Sequence, residues 1–157
     1  MPRAVVVTVS DRTSRGETED RSGPAVEQLL TEAGFDVVGR DVVPDEVQAI
    51  QAALLKGSAG ADLVVTTGGT GLAARDVTPQ ATAAIVEYEV PGLAEEIRRT
   101  GALATPNALL SRGLAGVRGQ TLIVNLPGSE RGAVQSLGAV LPALPHAIAV
   151  LRGDPGH

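Results

Sequence analysis

The sequence predicts a single α/β domain in three layers, a mainly parallel sheet flanked by helices. Short apolar, β-branched runs alternate along the chain with segments of helical periodicity, the pattern of βαβ units. The strand-like runs are apolar on successive rather than alternate residues, as for strands covered on both faces. Each of the best strands also ends in a polar or glycine-bearing turn, which gathers those residues at one sheet edge. Residues 1–157 read as one domain, because the chain is long enough to bury a core and no repeat, linker or low-complexity segment divides it.

Residues 4–9, AVVVTV, form the first strand, followed by Ser10-Asp11-Arg12 and a polar loop to Asp20. Ser22-Gly23-Pro24 opens a helix in which Val26, Leu29, Leu30 and Ala33 recur at helical spacing, with Gly34 where a C-cap belongs. Residues 36–43 make the second strand, ending at Pro44-Asp45. Residues 46–56 are an amphipathic helix with Val47, Ile50 and Leu54 on one face and Gly57 beyond its end. Leu63-Val64-Val65 is the third strand and runs through Thr66-Thr67 into Gly68-Gly69-Thr70-Gly71. Thr78-Pro79 reads as a helix start, Thr as N-cap and Pro at the first helical position, so residues 79–87 are expected to be helical. Residues 91–100 read as another helix, with Glu95 and Arg99 spaced to pair at i,i+4. Residues 106–119, with Ser111-Arg112 among them, are ambiguous. Residues 121–124 are a further strand, ending at Asn125-Leu126-Pro127-Gly128. From Ala133, the residues Val134, Leu137, Leu141, Leu144, Ile148 and Leu151 mark a helical face broken near Pro142 and Pro145.

Composition narrows the function. A net charge of −5 speaks against a polyanion partner. One Phe, one Tyr and no Trp leave almost no platform for base stacking, so no nucleic-acid role is expected. Without Cys there is no disulfide, thiolate nucleophile or Cys-ligated zinc, and His146 and His157 cannot make a multi-histidine site alone. A metal here would be a hard cation held by carboxylates and phosphates, as magnesium usually is. The amino-terminal Met1-Pro2-Arg3 lacks a signal-peptide core, and no apolar run approaches membrane-spanning length. The expectation is a soluble, cytoplasmic protein with no membrane partner.

The chemistry centres on the glycine turn. A buried strand that ends in glycines and leads to a helix start is a structure for holding anions, since uncovered amides can converge on one phosphate. Arg75 and Asp76 follow within a few residues, so a cation, an anion and a bare turn lie close together. Ser10-Asp11, Asp45 and Asn125 with Pro127-Gly128 fall after the other strands, on the same edge. Each has a plainer reading beside it. Asp45 with Gln48 fits a capping box, Asp76 an Asx-turn ahead of Thr78, and Arg75 and Arg112 solvated surface charges. Asp11 and Asp20 fit turn or cap residues, and His146 a packed or surface histidine.

The segments DRSGP (20–24), VVPDEV (42–47), GGTGLAARDVTPQAT (68–82), PGL (91–93), LSR (110–112), GVRGQTLIVNLPG (116–128) and LPHAI (144–148) together closely resemble the MogA/MoaB family over nearly the whole chain. That family comprises the molybdopterin-binding and adenylylating domain of molybdenum cofactor biosynthesis. The resemblance implies a homotrimer that adenylylates the molybdopterin phosphate with ATP and Mg²⁺ and releases pyrophosphate. It implies that Asp45 and Asp76 are the two functional aspartates, catalytic and positioned to hold the metal. Gly68, Gly69, Thr70 and Gly71 match the nucleotide-phosphate loop, with Thr67, Arg75, Asn125, Pro127 and Gly128 assigned to the same subsite. Ser10, Asp11, Ser111 and Arg112 are assigned to the pterin side. Ser129-Glu130 departs from the Asn-Pro or Gln-Pro that follows this NLPG in many relatives. The alternative functions are a non-catalytic molybdopterin carrier and, because a related domain occurs in such enzymes, a nucleotide pyrophosphatase.

Overall fold

Strands that are apolar on both faces need cover on both, and the helices supply it. The computed structural model describes residues 1–154; Pro155, Gly156 and His157 lie outside the described residues. The strands are β1 (Arg3–Val9), β2 (Asp36–Val43), β3 (Leu63–Thr67), β4 (Tyr88–Glu89), β5 (Ala115–Arg118) and β6 (Thr121–Leu126). They form one six-stranded sheet in the order β2-β1-β3-β6-β5-β4. β2, β1, β3 and β6 run parallel, while β5 pairs antiparallel with both β6 and β4, so the sheet is mixed.

The helices are α1 (Asp11–Ser14), α2 (Ser22–Glu32), α3 (Val47–Gly60), α4 (Thr78–Ala83), α5 (Pro91–Ala104), α6 (Glu130–Val140) and α7 (Leu144–Leu151). Successive residues of each central strand serve opposite layers. Ala4, Val6, Leu63, Val65, Leu122 and Val124 pack with buried residues of α2, α5, α6 and α7. Val5, Val7, Val9, Val64 and Ile123 face the other way, onto Ile50, Ala53 and Leu54 of α3 and Ala81 of α4. Full burial of a Val, Leu or Ile side chain stabilises by about 1.5–3 kcal/mol, so two separate cores clamp the parallel strands. From β1 the chain crosses to β2 on one side, and from β3 it leaves toward the other. The carboxyl ends of β1 and β3 are therefore the point where the connections diverge, the place such sheets bind ligands.

Several elements differ from the sequence reading. The helix expected over residues 79–87 ends at Ala83, and the chain then forms β4, whose Tyr88 and Glu89 pair with Val117 and Gly116. The ambiguous stretch resolves into a 3-10 turn at Pro106–Leu110 and then β5. Arg99 pairs with Glu96, at i,i+3 and 2.5 Å, rather than with Glu95. The loop after β1 begins with the helical turn α1, capped by Ser10, whose Oγ accepts from the Thr13 N–H at 3.2 Å. At the tail, Pro142 and Pro145 sit in the first turns of a 3-10 turn (Leu141–Ala143) and of α7, where no N–H is required. Glu130–Leu151 thus joins into 22 helical residues, long and apolar enough by length and composition to cross a membrane, contrary to the sequence reading. Its inner face is spent on the core, where Ala133, Leu137, Val140, Leu144 and Ile148 are buried.

Candidate functional site

The turn after β3 carries no side chain at two positions because its neighbours leave no room. Gly68 and Gly69 have φ of 94° and 69°. A Cβ on Gly68 would stand 2.3 Å from the Val9 carbonyl oxygen, and one on Gly69 would stand 2.3 Å from Thr78 Oγ1. Thr78 is not the N-cap of α4 that the sequence suggests; that place belongs to Val77, and Thr78 instead pins the turn. Its hydroxyl donates to the Gly68 carbonyl at 3.0 Å and its N–H to the Gly69 carbonyl at 3.1 Å. The Gly68 N–H donates to Leu126 O at 3.0 Å. The N–H groups of Gly69, Thr70 and Gly71 have no partner among the described residues. Three successive uncommitted amides on a fixed turn are donors available to anionic oxygens.

Both candidate aspartates face this turn. Asp45 Oδ1 lies 3.1 Å from where a Gly69 Cβ would be, and Asp76 Oδ2 lies 2.9 Å from the equivalent point on Gly71. The capping box of Asp45 with Gln48 does not form, because α3 starts at Val47 with Glu46 as its N-cap and no side-chain cap bond. Instead Asp45 Oδ2 accepts from the Asp11 N–H at 2.8 Å, and the Asp45 N–H donates to Asp11 Oδ1 at 2.9 Å. Asp76 reaches back rather than forward: its Oδ2 accepts from the Ala73 N–H at 3.0 Å. Arg75 is not a free surface charge; its Nε and Nη2 each donate to Asp11 at 2.9 Å. The Arg75 hydrogen bond holds the Asp11 carboxyl below the usual aspartate range. Burial, reinforced by the charges of Asp11 and Asp76, pushes Asp45 above it.

Two clefts open beside the turn. A polar one of about 550 Å³ is lined by Ser10, Thr13, Asp20, Thr67, Gly128 and Glu130, among others. A less polar one of about 260 Å³ includes Thr70, Gly71, Ser111, Pro127, Ser129 and Gln135. Gly68 and Gly128 touch at the meeting of these walls, where a Cβ on Gly128 would lie 3.2 Å from Gly68 Cα. The residues assigned to the pterin side are thereby divided: Ser10 faces the larger cleft and Ser111 the smaller. Ser129, at the departure from the familiar NLPG continuation, is the N-cap of α6 and accepts from the Gly132 N–H at 3.0 Å.

Two assigned residues serve the scaffold. Arg112 donates to the Gly71 and Asp76 carbonyls at 2.9 and 2.7 Å and to Gln80 at 3.2 Å, so its guanidinium braces the turn from outside. Asn125, expected at a phosphate, is buried with its amide turned inward. Its NH₂ donates to Thr66 and Thr82 hydroxyls at 3.1 Å each, and its Oδ1 accepts from the Leu114 N–H at 3.1 Å. Asp20, read as a turn or cap residue, lies one position before Arg21, the N-cap of α2, and ties the turn by accepting from the Gly23 N–H at 3.0 Å and the Thr8 hydroxyl at 2.9 Å. Sequence reasoning missed Arg98, whose Nη1 donates to the Ser111 and Gly113 carbonyls at 3.3 and 2.8 Å. Nothing in its helical spacing signalled that reach.

Among the described residues no group of three His, Cys, Asp or Glu could cage a metal. Asp45 and Asp76 instead supply two carboxylates beside the uncommitted amides of that turn. That donor set fits a magnesium ion whose remaining ligands are phosphate and water oxygens.

Residues 5–146 match a family model described as "Probable molybdopterin binding domain". The chain is 40% identical over 153 residues to the molybdopterin adenylyltransferase of Helicobacter pylori (strain J99), spanning 95% of this chain and 87% of that protein. It is 41% identical over 146 residues to the molybdopterin adenylyltransferase of Escherichia coli (strain K12), spanning 90% and 74%. The crystal structure of the molybdopterin biosynthesis enzyme MoaB from Thermus thermophilus matches with a TM-score of 0.93 at 50% identity, covering 99% of both chains.

Proposed function

Because the chain belongs to the family of molybdopterin-binding domains, we propose that it adenylylates molybdopterin in molybdenum cofactor biosynthesis. A terminal phosphate oxygen of the pterin attacks the α-phosphorus of ATP, the bond to the β-phosphate oxygen breaks, and pyrophosphate leaves. The observation that supports this best is the convergence of Asp45 and Asp76 on the uncommitted amides of Gly69–Gly71.

Such a transfer needs positioning and charge neutralisation more than a protein nucleophile, which suits a site without Cys. The amides of Gly69, Thr70 and Gly71 take phosphate oxygens and fix the triphosphate against the turn. Asp45 and Asp76 would hold Mg²⁺, which when bound neutralises charge on the phosphates. Arg75, anchored on Asp11, keeps a positive charge beside the acidic pair. Two clefts on either side of one turn suit a reaction with two substrates. The reading includes a homotrimer working in the cytoplasm.

The test is to incubate the protein with molybdopterin, ATP and Mg²⁺ and to measure adenylylated pterin and pyrophosphate together. Both are expected in equal amounts, and only when all three components are present. Pterin binding without product would instead indicate a carrier, and pyrophosphate without pterin a pyrophosphatase.

A further inference from the structure

We propose that Asp11 is a positioning residue for this transfer, its side chain pinning the main chain of Asp45 through the Asp45 N–H and holding Arg75 beside it. The inference rests on the reading of Asp45 as a functional carboxylate. The residue opens α1, two positions after the end of β1, and reaches the loops that follow β2 and β3. Its N–H donates to Asp45 Oδ2 at 2.8 Å and its Oδ1 accepts from the Asp45 N–H at 2.9 Å, a closed reciprocal pair. Asp45 sits on a three-residue connection between β2 and α3, where nothing in the regular elements would fix its χ1. Oδ2 is tied to the main-chain N–H of residue 11, a bond that does not depend on the side chain there, so Oδ1 is the oxygen left facing Gly69. The same Asp11 carboxylate accepts both Arg75 bonds at 2.9 Å, so one side chain joins three strand ends.

Asp11 belongs to neither cleft lining, in contrast to its neighbour Ser10. Its side chain is 18% exposed, whereas that of Arg75 is 62% exposed. The carboxylate is thus committed to protein groups, and the pterin-side assignment gives way to one of orientation.

Two variants separate its two jobs. Asp11→Asn retains an oxygen that accepts from the Asp45 N–H but loses the charge facing Arg75, while Asp11→Ala loses both and keeps only the main-chain N–H to Asp45 Oδ2. Steady-state kcat and KM for each substrate are measured with melting temperature, alongside binding of Mn²⁺ with ATP followed by electron paramagnetic resonance. Misplacement of a reacting group by about 1 Å costs on the order of 100-fold. Asp11→Ala is accordingly expected to lower kcat about 10- to 100-fold with KM for molybdopterin within about threefold. Its affinity for Mn²⁺ with ATP should fall, and Asp11→Asn should lie between it and the parent on both measures. Unchanged kcat and Mn²⁺ affinity in Asp11→Ala, or a loss confined to KM for molybdopterin, would overturn the proposal. If Asp11→Ala does not fold, Asp11→Asn and Arg75→Gln carry the test, since both abolish the Asp11–Arg75 ion pair and should lower kcat alike. An inactive parent protein would refute the adenylyltransferase reading instead, and the Mn²⁺ comparison would still decide the role of Asp11.

Discussion

Asp45 bears a charge that its surroundings disfavour, through burial first and then through Asp11 and Asp76. An acid whose folded pKa is raised destabilises the fold above that pKa and ceases to do so as pH falls below its unfolded value. Asp45→Asn removes the cost yet keeps an oxygen for the Asp11 N–H. It is therefore expected to leave the melting temperature at pH 7 unchanged or raised, while lowering transfer about 100-fold or more, as loss of a positioned charge in a phosphoryl-transfer site does. Asp76→Asn should lose transfer similarly. Parallel melting and turnover measurements check both, and equal loss of stability and activity would assign them to scaffolding. The titration of Asp45 carries a second expectation. In the metal-free protein its carboxyl, followed by NMR, should titrate above the ordinary aspartate value of about 3.9. Arg75→Gln should move that titration to still higher pH, because Arg75 lowers the Asp45 value. At this scale Asp45 and Asp76 were legible as carboxylates placed after strands. The Asp11–Arg75 pair was not, because its members are 64 residues apart and only strand order brings them together.

The glycine turn works as an element because β1, α4 and the turn after β6 close around it. Gly68→Ala meets the Val9 carbonyl at 2.3 Å from a φ of 94°. Backbone strain and overpacking together should cost about 2–5 kcal/mol, read by chemical denaturation. Asn125→Ala strands the Leu114 N–H and removes the donor to two buried hydroxyls, for about 1–3 kcal/mol. Stability is expected to fall in that variant without the selective loss of transfer that marks Asp45→Asn. The parallel strands and most of the helices were readable, since β-branched runs and 3.6-residue spacing report them directly. β4 and β5 were not: with two and four residues they are too short to show a period, and they exist through pairing with each other and with β6. Thr78-Pro79 marked a true helix start, yet the Thr hydroxyl went to Gly68, a tertiary partner that local cap rules cannot see.

Across the whole molecule the sheet separates two tasks. Its carboxyl ends carry the site, and at the far end Arg152, following α7, grips Asp62 through Nε at 3.0 Å and Nη2 at 2.5 Å. The Arg3 N–H adds a third bond to Asp62 at 2.8 Å. Burial works against that carboxylate, but these donors hold its pKa below the usual range. The resulting stabilisation is present above the unfolded aspartate pKa and is lost as pH falls through the lowered folded value. Arg152→Gln should narrow the stability difference between neutral and strongly acidic pH, leaving transfer at neutral pH largely intact. Sedimentation at micromolar concentration should give a trimer, and a monomer would contradict the proposed assembly. The reaction centre itself is tested most directly by a crystal structure with molybdopterin, Mg²⁺ and a non-hydrolysable ATP analogue. Phosphate oxygens are expected on the N–H groups of Gly69–Gly71, with the ion between Asp45 and Asp76; a triphosphate seated away from that turn would contradict it.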